Sequence, residues 1–199
     1  MSNDDIKPVI DNMLRLMGGA EKAFKEFDAE HAQINERWEQ NTEIIGRILR
    51  AHLFVEHYLT AYLQAKNPQL GSLDAARVTF SQKIALLENA SIVITELIPG
   101  IRKLNAVRNR IAHTLKPSVD ADDANVFRQA QLFQAMRKEG AKRFPRPLAV
   151  EPLELLEEFA KYVGLTLQAD VSETGRAMRE AFKQASDEFQ ERVARQTPQ

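Results

Sequence analysis

Apolar residues recur along this chain at helical spacing, and no sustained two-residue alternation predicts a strand. Near the start, two series repeat every seven residues, as the a and d positions of packed helices do. The series are Met17, Phe24, His31, Trp38 and Ile45, and Ala20, Phe27, Ile34, Asn41 and Ile48. We therefore predict one long helix, straight or kinked, from about Gly19 to Lys66, ended by Asn67-Pro68, with Trp38 and the phenylalanines packed.

The next apolar patterns predict further helices joined by short loops. A short helix with Phe80, Ile84 and Leu87 on one face is expected in "TFSQKIALLENA", and a longer helix from about Pro99 to Lys116. We expect one helix in "SVDADDANVFRQAQLFQAMRKEG", with aspartates capping its start and Gly140 at its end. Pro152 opens a helix whose inward residues are Leu153, Leu156, Phe159, Ala160, Val163 and Leu167.

The last apolar series has the spacing of the N-terminal series and consists of Met178, Phe182, Ala185, Phe189 and Val193. It predicts an extra C-terminal helix that packs on the N-terminal arm, within the chain or in a dimer. The predicted fold class is all-α: a helical bundle with a long N-terminal helix and an extra C-terminal helix. We expect an arm over residues 1–43, a helical domain over 44–170 and the C-terminal helix over 171–199.

Composition narrows the class of protein. The 199 residues carry 28% charged side chains and a net charge of −1, which does not favour a polycation that coats nucleic acid. The lack of cysteine excludes disulfides, thiolate zinc sites and cysteine nucleophiles. We expect a soluble, cytoplasmic protein with no membrane partner, because neither a signal peptide nor a run of ~20 apolar residues is visible. No residue cluster predicts a metal site or a cofactor.

Candidate chemistry lies in "LNAVRNRIAHTLKP", residues 104–117. On a helical wheel, one apolar stripe consists of Ile101, Leu104, Val107, Ile111 and Leu115. Arg108 falls inside this stripe, so we expect its stem to follow apolar surface while its guanidinium group meets a partner. His113 lies about 140° round the helix from Arg108, and Asn109 shares the face of His113.

A second pair of polar residues interrupts the apolar stripe of the long helix. His52 and Glu56 lie one turn apart among Ile45, Ile48, Leu49, Leu59 and Leu63. A carboxylate there is costly unless it is paired, and Arg108 is the cation best suited to pair with it. We therefore predict that Glu56 lies close to Arg108, with His52 as a possible member of the cluster. A structural salt bridge without chemistry is the alternative.

The stretch from Leu97 to Val119 contains no acidic residue but several basic ones. Apart from Arg108, these are Arg102, Lys103, Arg110 and Lys116. In a chain of nearly zero net charge, such a local concentration suits a phosphate backbone and makes these four candidate RNA-binding residues. A solvated basic helix face explains the same pattern without any ligand.

The segment "RNRIAH", Arg108 to His113, resembles the Arg-polar-x-x-x-His motif of the HEPN superfamily of all-helical domains. "RAHLFVEHYLTAYL" resembles the helix that precedes this motif in the superfamily. "TFSQKIALLEN" followed by "IRKLNAVRNRIAH" is similar to relatives of the mannitol-operon repressor, which are HEPN-like. The resemblance covers roughly residues 44–115, and more weakly the helices to about residue 169.

The resemblance implies that Arg108 and His113 form a catalytic pair, with Asn109 in support. Many HEPN proteins are metal-independent ribonucleases, often toxins or defence effectors, with a composite site across a two-fold dimer. The chemistry of these residue types is consistent with RNA cleavage. RNA carries its own nucleophile, the 2′-hydroxyl group, whose proton a histidine can accept. An arginine can stabilise the negative charge on the phosphate. Some HEPN toxins carry a tyrosine two residues after the histidine, where a partner nucleotidyltransferase modifies it. This chain has Leu115 there, so control of that kind is not expected.

Two functions remain in competition. The first is a homodimeric endoribonuclease, a toxin or defence effector, with RNA as substrate and an antitoxin or regulatory protein as a possible partner. The second is a non-catalytic HEPN-like module that acts as a regulator or binds nucleic acid or protein as a dimer. A helical enzyme for a small molecule finds no support, because no phosphate-binding glycine loop, nucleophile triad or zinc motif is present.

Overall fold

The computed structural model describes residues 3–69, 71–73, 75–88, 90–114, 118–143 and 147–177, together with residues 180, 181 and 184. All the elements in this part of the chain are α-helices, and none of it forms a strand. The prediction of an all-α helical bundle is therefore confirmed. The chain divides into two compact units, Met1–Asn41 and Thr42–Gln199. The predicted domain boundary after residue 43 lies close to this division.

The first unit is a pair of helices, α1 (Asn3–Leu16) and α2 (Ala20–Trp38). Gly18 and Gly19 join them with φ angles of 88° and 112°, a conformation that side chains disfavour and glycine adopts freely. Two helices alone provide little interior, so Ala23 is the one residue classed as buried among the described residues of this unit. Trp38 is 85% exposed and Phe24 is 59% exposed. The prediction that these aromatic residues are packed is therefore wrong for the single chain.

The predicted helix from Gly19 to Lys66 is also wrong, because it is two helices. α2 ends at Trp38, and α3 (Thr42–Lys66) begins after three polar residues. The Glu39 N–H group donates to the Asn35 carbonyl, and the Gln40 side chain donates to the Arg37 carbonyl at 2.9 Å. The last carbonyls of α2 thus find partners at the break, and the helix can end although the seven-residue pattern continues.

The second unit contains the main core. α3 packs lengthwise against α9 (Pro152–Val171), and α6 (Ile98–Thr114) packs against α3 and α9. Two short helices, α4 (Phe80–Ala85) and α5 (Ile92–Thr95), lie between α3 and α6 in the sequence. The apolar faces predicted for α4, α6 and α9 are buried where they are described, except that Leu153 is partly buried. α9 begins with Pro152, and Arg47 and Arg50 of α3 bind Glu157 of α9.

The helix predicted to end at Gly140 is two helices, α7 (Ala121–Gln129) and α8 (Gln131–Arg143). The aspartate cap is confirmed, since Asp120 and Asp123 form a reciprocal capping box at the start of α7. Ala130 adopts an extended conformation, and the Leu132 N–H group donates to the Glu96 carboxylate at 3.1 Å. This bond from a distant segment caps α8 and stabilises the break. Gly140 lies inside α8.

The predicted third region, residues 171–199, lies mostly outside the described residues. α9 ends at Val171, within one residue of the predicted boundary, and Ser172 caps it. The predicted packing of a C-terminal helix on the N-terminal arm stays a prediction. No helix in the described part of the chain is both long and apolar enough to cross a membrane.

Candidate functional site

The candidate motif lies on α6, which has nearly the predicted bounds. Its inward residues Ile101, Leu104 and Val107 are completely buried, and Ile111 is 7% exposed. The predicted apolar stripe is therefore confirmed over this range, whereas Leu115 lies outside the described residues. This buried stripe packs α6 against α3 and α9 and fixes the direction in which the polar residues of α6 point.

Arg108 is exposed, although the helical wheel placed it inside the apolar stripe. Its Nη1 group donates to the Asn109 Oδ1 atom at 3.1 Å. Arg108 makes no ion pair with any carboxylate in the described part of the chain. The stripe on α6 is narrower than predicted, so Arg108 lies at its edge and its guanidinium group faces solvent. Asn109 accepts this hydrogen bond, while its expected role in support of a catalytic pair stays a prediction.

Glu56 pairs with Lys83 of α4, and not with Arg108 as predicted. The Lys83 Nζ atom lies 3.2 Å from Glu56 Oε1, and the Lys83 side chain is only 3% exposed. Lys83 was not predicted, but it lies in the apolar series Phe80, Ile84 and Leu87. The rule that selected Glu56, a charge inside an apolar stripe, would have selected Lys83 as well.

His52 is buried beside this ion pair. Its Nε2 atom lies 3.2 Å from Asn105 Oδ1, and its Nδ1 atom lies 4.0 Å from Glu56 Oε2. The ring packs on Phe80, with 4.3 Å between ring centroids. Burial is the largest influence on the pKa of His52 and lowers it below the usual range; the charge of Arg108 acts in the same direction. The Asn105 hydrogen bond and the Glu56 carboxylate raise the pKa, but by less than these two lower it.

A polar cavity of about 310 Å³ brings these residues together. It is lined from α3, α4 and α6, chiefly by His52, Glu56, Ser81, Asn105, Arg108 and Asn109. Asn105 joins two walls, since its Nδ2 group donates to Ser81 Oγ at 3.3 Å while its Oδ1 atom faces His52. Four of the predicted site residues thus share one cavity, to which Ser81 and Asn105 are unpredicted additions.

His113 occupies the last turn of α6, but its side chain lies outside the described part of the structure. The predicted pairing of Arg108 and His113 therefore stays a prediction. The expectation that a single chain does not bring the two side chains face to face stays a prediction as well.

Three of the predicted RNA-binding residues are engaged with carboxylates. Arg102 lies 3.1 Å from Glu88, and Lys103 lies 3.5 Å from Asp123. Arg110 binds Asp123 through both of its terminal nitrogens and also donates to the Ser118 carbonyl at 2.8 Å. The stretch is free of acids in sequence but not in space, because α7 and the segment after α4 supply them. Lys116 lies outside the described residues.

The ion pair of Arg110 and Asp123 is strong enough to move both pKa values. Burial alone would raise the pKa of Asp123, but the Arg110 hydrogen bond, the backbone N–H of Asp120 and the charge of Lys103 together lower it. The hydrogen bond that Arg110 donates to Asp123 raises the pKa of Arg110 in turn. These groups hold α6 on α7, which makes Arg110 a structural residue of the helix pair.

The described residues contain no group of three or more histidines or acids that could hold a metal ion. Comparison of the chain with family models, curated proteins and solved structures found no match. The HEPN resemblance accordingly stands on the motif and the segments that precede it. The site itself is defined by an exposed arginine at a polar cavity whose wall includes a buried histidine and the half-buried Glu56, the carboxylate partner of Lys83.

Proposed function

We propose that this chain is a metal-independent endoribonuclease of the HEPN type that works as a homodimer. In this proposal Arg108 binds the scissile phosphate, Asn109 orients Arg108, and His113 is the acid/base. Its biological setting would be that of a toxin or defence effector, under the control of an antitoxin or another regulatory protein. The observation that carries the proposal is that Arg108 is exposed and makes no ion pair with any described carboxylate.

Arg108 differs from the other described cations of its stretch. Arg102, Lys103 and Arg110 each bind a carboxylate, whereas Arg108 is exposed and has no ion-pair partner among the described acids. Asn109 holds its guanidinium group at the rim of the cavity. A guanidinium group in this state is suited to bidentate binding of a phosphate from outside the protein.

The proposed reaction uses groups that RNA and the protein already have. The 2′-oxygen attacks the adjacent phosphorus as its proton leaves, and the bond from phosphorus to the 5′-oxygen breaks. His113 takes the first proton or supplies the one that the 5′-oxygen needs, and water accepts or supplies the other proton. Arg108 stabilises the negative charge that grows on the phosphate. The products are a 2′,3′-cyclic phosphate and a free 5′-hydroxyl group.

The test is cleavage of a broad panel of RNA by the purified full chain in the presence of a chelator. We expect Arg108→Ala and His113→Ala each to lower the cleavage rate by about 10²-fold or more, since each removes a group used in the transition state. Arg102→Ala is the matched control on the same helix and should cleave at nearly the wild-type rate. RNA that stays intact with the wild-type chain across the panel would exclude the ribonuclease.

One observation favours the alternative, a non-catalytic regulatory or binding module. The pairing of Arg102, Lys103 and Arg110 removes most of the basic surface that an RNA-binding face of α6 needs. Fluorescence anisotropy with labelled RNA separates the two functions. No binding and no cleavage would reject the enzyme and favour a module that binds protein, whereas binding without cleavage, lost in Arg108→Ala and kept in His113→Ala, would favour a module that binds RNA.

A further inference from the structure

The polar cavity beside Arg108 is lined by two ionisable side chains that the proposed reaction does not use. His52 is 6% exposed, and its two ring nitrogens face two different side chains, Asn105 and Glu56. Neither His52 nor Glu56 has a part in the reaction written above. Their placement on the wall of the cavity that contains Arg108 suggests that they respond to what binds there.

The hydrogen bonds assign the proton of the neutral His52 ring. The amide nitrogen of Asn105 donates to Ser81, so the amide oxygen is the atom that faces His52 and accepts from its Nε2–H group. Nδ1 then carries a lone pair and faces Glu56 Oε2 at 4.0 Å. Two acceptors facing each other gain nothing, whereas a proton on Nδ1 would create an ion pair.

The charges around His52 come from the three helices that surround the cavity. Glu56 of α3 favours the protonated ring, and its other oxygen is held by Lys83 of α4. Arg108 of α6 opposes protonation, as burial does more strongly. An anion bound to Arg108 would offset the opposing charge and place negative charge in the same cavity.

We propose that this cavity is a proton-linked phosphate subsite, in which His52 takes a proton from solvent and pairs with Glu56 when a phosphate group binds Arg108. The inference rests on the phosphate contact of the proposed function, but it does not require RNA cleavage. Anion and proton then favour each other's binding by the same factor. Affinity for the anion should rise by up to about tenfold for each unit of falling pH while one proton is linked.

The test is an NMR titration of the histidines in the full chain, with and without sulfate at constant ionic strength. Sulfate mimics phosphate but keeps its charge across the range studied. The signals of the four histidines are assigned from single His→Gln variants. In the free chain we expect His52 to titrate below the usual value of about 6.5, and saturating sulfate should raise its midpoint. His57, which is exposed on the same helix and does not line the cavity, is the internal control for a general effect of sulfate.

Two arginine variants separate the proposed linkage from a general salt effect. Arg108→Ala should raise the His52 midpoint without any anion, because it removes the opposing charge, and should abolish the response to sulfate. Arg102→Ala should change neither. Arg108 is exposed, so its replacement is not expected to prevent folding. A His52 midpoint that is insensitive to Arg108→Ala would overturn the proposal.

A second probe distinguishes a free anion from a nucleic-acid phosphate. A 2′-O-methyl oligouridine offers phosphodiesters, cannot be cleaved by 2′-oxygen attack, and does not itself titrate near neutral pH. A response of His52 to either probe supports the subsite, and the comparison assigns its ligand as a free tetrahedral anion or a phosphodiester. No response to either probe overturns it. A response together with intact natural RNA would keep the subsite and reject the ribonuclease, and cleavage without a response would do the reverse.

Discussion

The carboxylate of Asp123 joins two cations of α6 to the first turn of α7. It is 2% exposed, binds Arg110 and Lys103, and accepts from the backbone N–H of Asp120 at 3.1 Å. A buried charge of this kind contributes chiefly through the cost of removing it, because its partners then lose their counter-ion. Its role is to set the position of α6, and with it the position of the cavity wall.

Replacement of Asp123 by asparagine should destabilise the protein more than any neighbouring change of charge. We expect the free energy of unfolding to fall by about 3 kcal/mol, the low end for breaking a buried pair, because Arg110 and Lys103 can still reach water. Chemical denaturation at neutral pH measures this loss. Asp122→Asn, one residue away and exposed, is the control and should change the free energy by at most about 0.5 kcal/mol.

The same variant should change the dependence of stability on pH. The pKa of Asp123 is lower in the folded chain than in the unfolded chain. Its stabilising contribution is therefore complete above the unfolded value of about 3.9 and is lost as the pH falls through the folded value. Denaturation curves from pH 7 down to acid should show a smaller loss of stability in Asp123→Asn than in the wild type. Equal acid sensitivity would show that the ion pair contributes nothing.

In the second unit, the apolar pattern indicated most of the buried positions of α3, although Leu49 of the predicted stripe is 37% exposed. His52 is buried and Glu56 is half-buried in a mostly apolar stripe, as their positions in the pattern indicated. The partner of Glu56 could not be predicted in the same way, because α4 brings Lys83 to it from 27 positions away. Exposure of Arg108 likewise depends on how wide a strip of α6 its neighbours cover.

Two glycines allow the helices of the second unit to approach closely. A β-carbon on Gly100 of α6 would lie 2.2 Å from Phe159 Cζ, and one on Gly164 of α9 would lie 2.4 Å from Phe54 Cε1. Phe159 is completely buried and packs against Phe127 and Phe133, whereas Phe54 is 37% exposed and its neighbour Tyr58, which also approaches Gly164, is partly buried. The two positions should therefore tolerate a methyl group differently.

Alanine substitutions at helix glycines test this packing. Gly100→Ala should lower the free energy of unfolding by about 1–2 kcal/mol, because overpacking outweighs the gain in helix propensity. Gly164→Ala should cost less, since Phe54 is partly exposed and Phe159 is not. Gly46→Ala is the control: no atom lies within 4 Å of its β-carbon, so it should stabilise the protein by about 0.5–1 kcal/mol. Thermal unfolding of the three variants should follow this order, and a stabilised Gly100→Ala would contradict the close approach.

Most of the helices were predictable from the sequence. The two breaks inside predicted helices, at residues 39–41 and at Ala130, were not. The seven-residue series continues across residues 39–41, so the end of α2 is set locally, where the Gln40 side chain donates to the Arg37 carbonyl and competes with the next helical bond. The break at Ala130 has no glycine or proline to mark it. It depends on Glu96, which caps α8 from 36 positions away and leaves no local pattern in the sequence.

At the scale of the whole molecule, the two units differ in how they use their apolar residues. The second unit encloses a core drawn from α3 to α9, and it contains the cavity with Arg108. The first unit exposes the side chains of its seven-residue series, including Ile34 at 61%. The seven-residue spacing is present in α2, but such spacing alone does not identify what the apolar residues contact.

A composite site across the proposed dimer should allow two inactive variants to restore activity together, which a site within one subunit would not allow. If Arg108 of one subunit works with His113 of the other, each single variant has two defective sites. A mixed dimer of Arg108→Ala and His113→Ala subunits has one site with both defects and one intact site. Random mixing places half of the dimers in this class, so about a quarter of the wild-type cleavage should return when the two inactive variants are unfolded and refolded together. Each variant refolded alone is the control, and mixtures no more active than these controls would place both residues in the same subunit's site or exclude the catalytic pair.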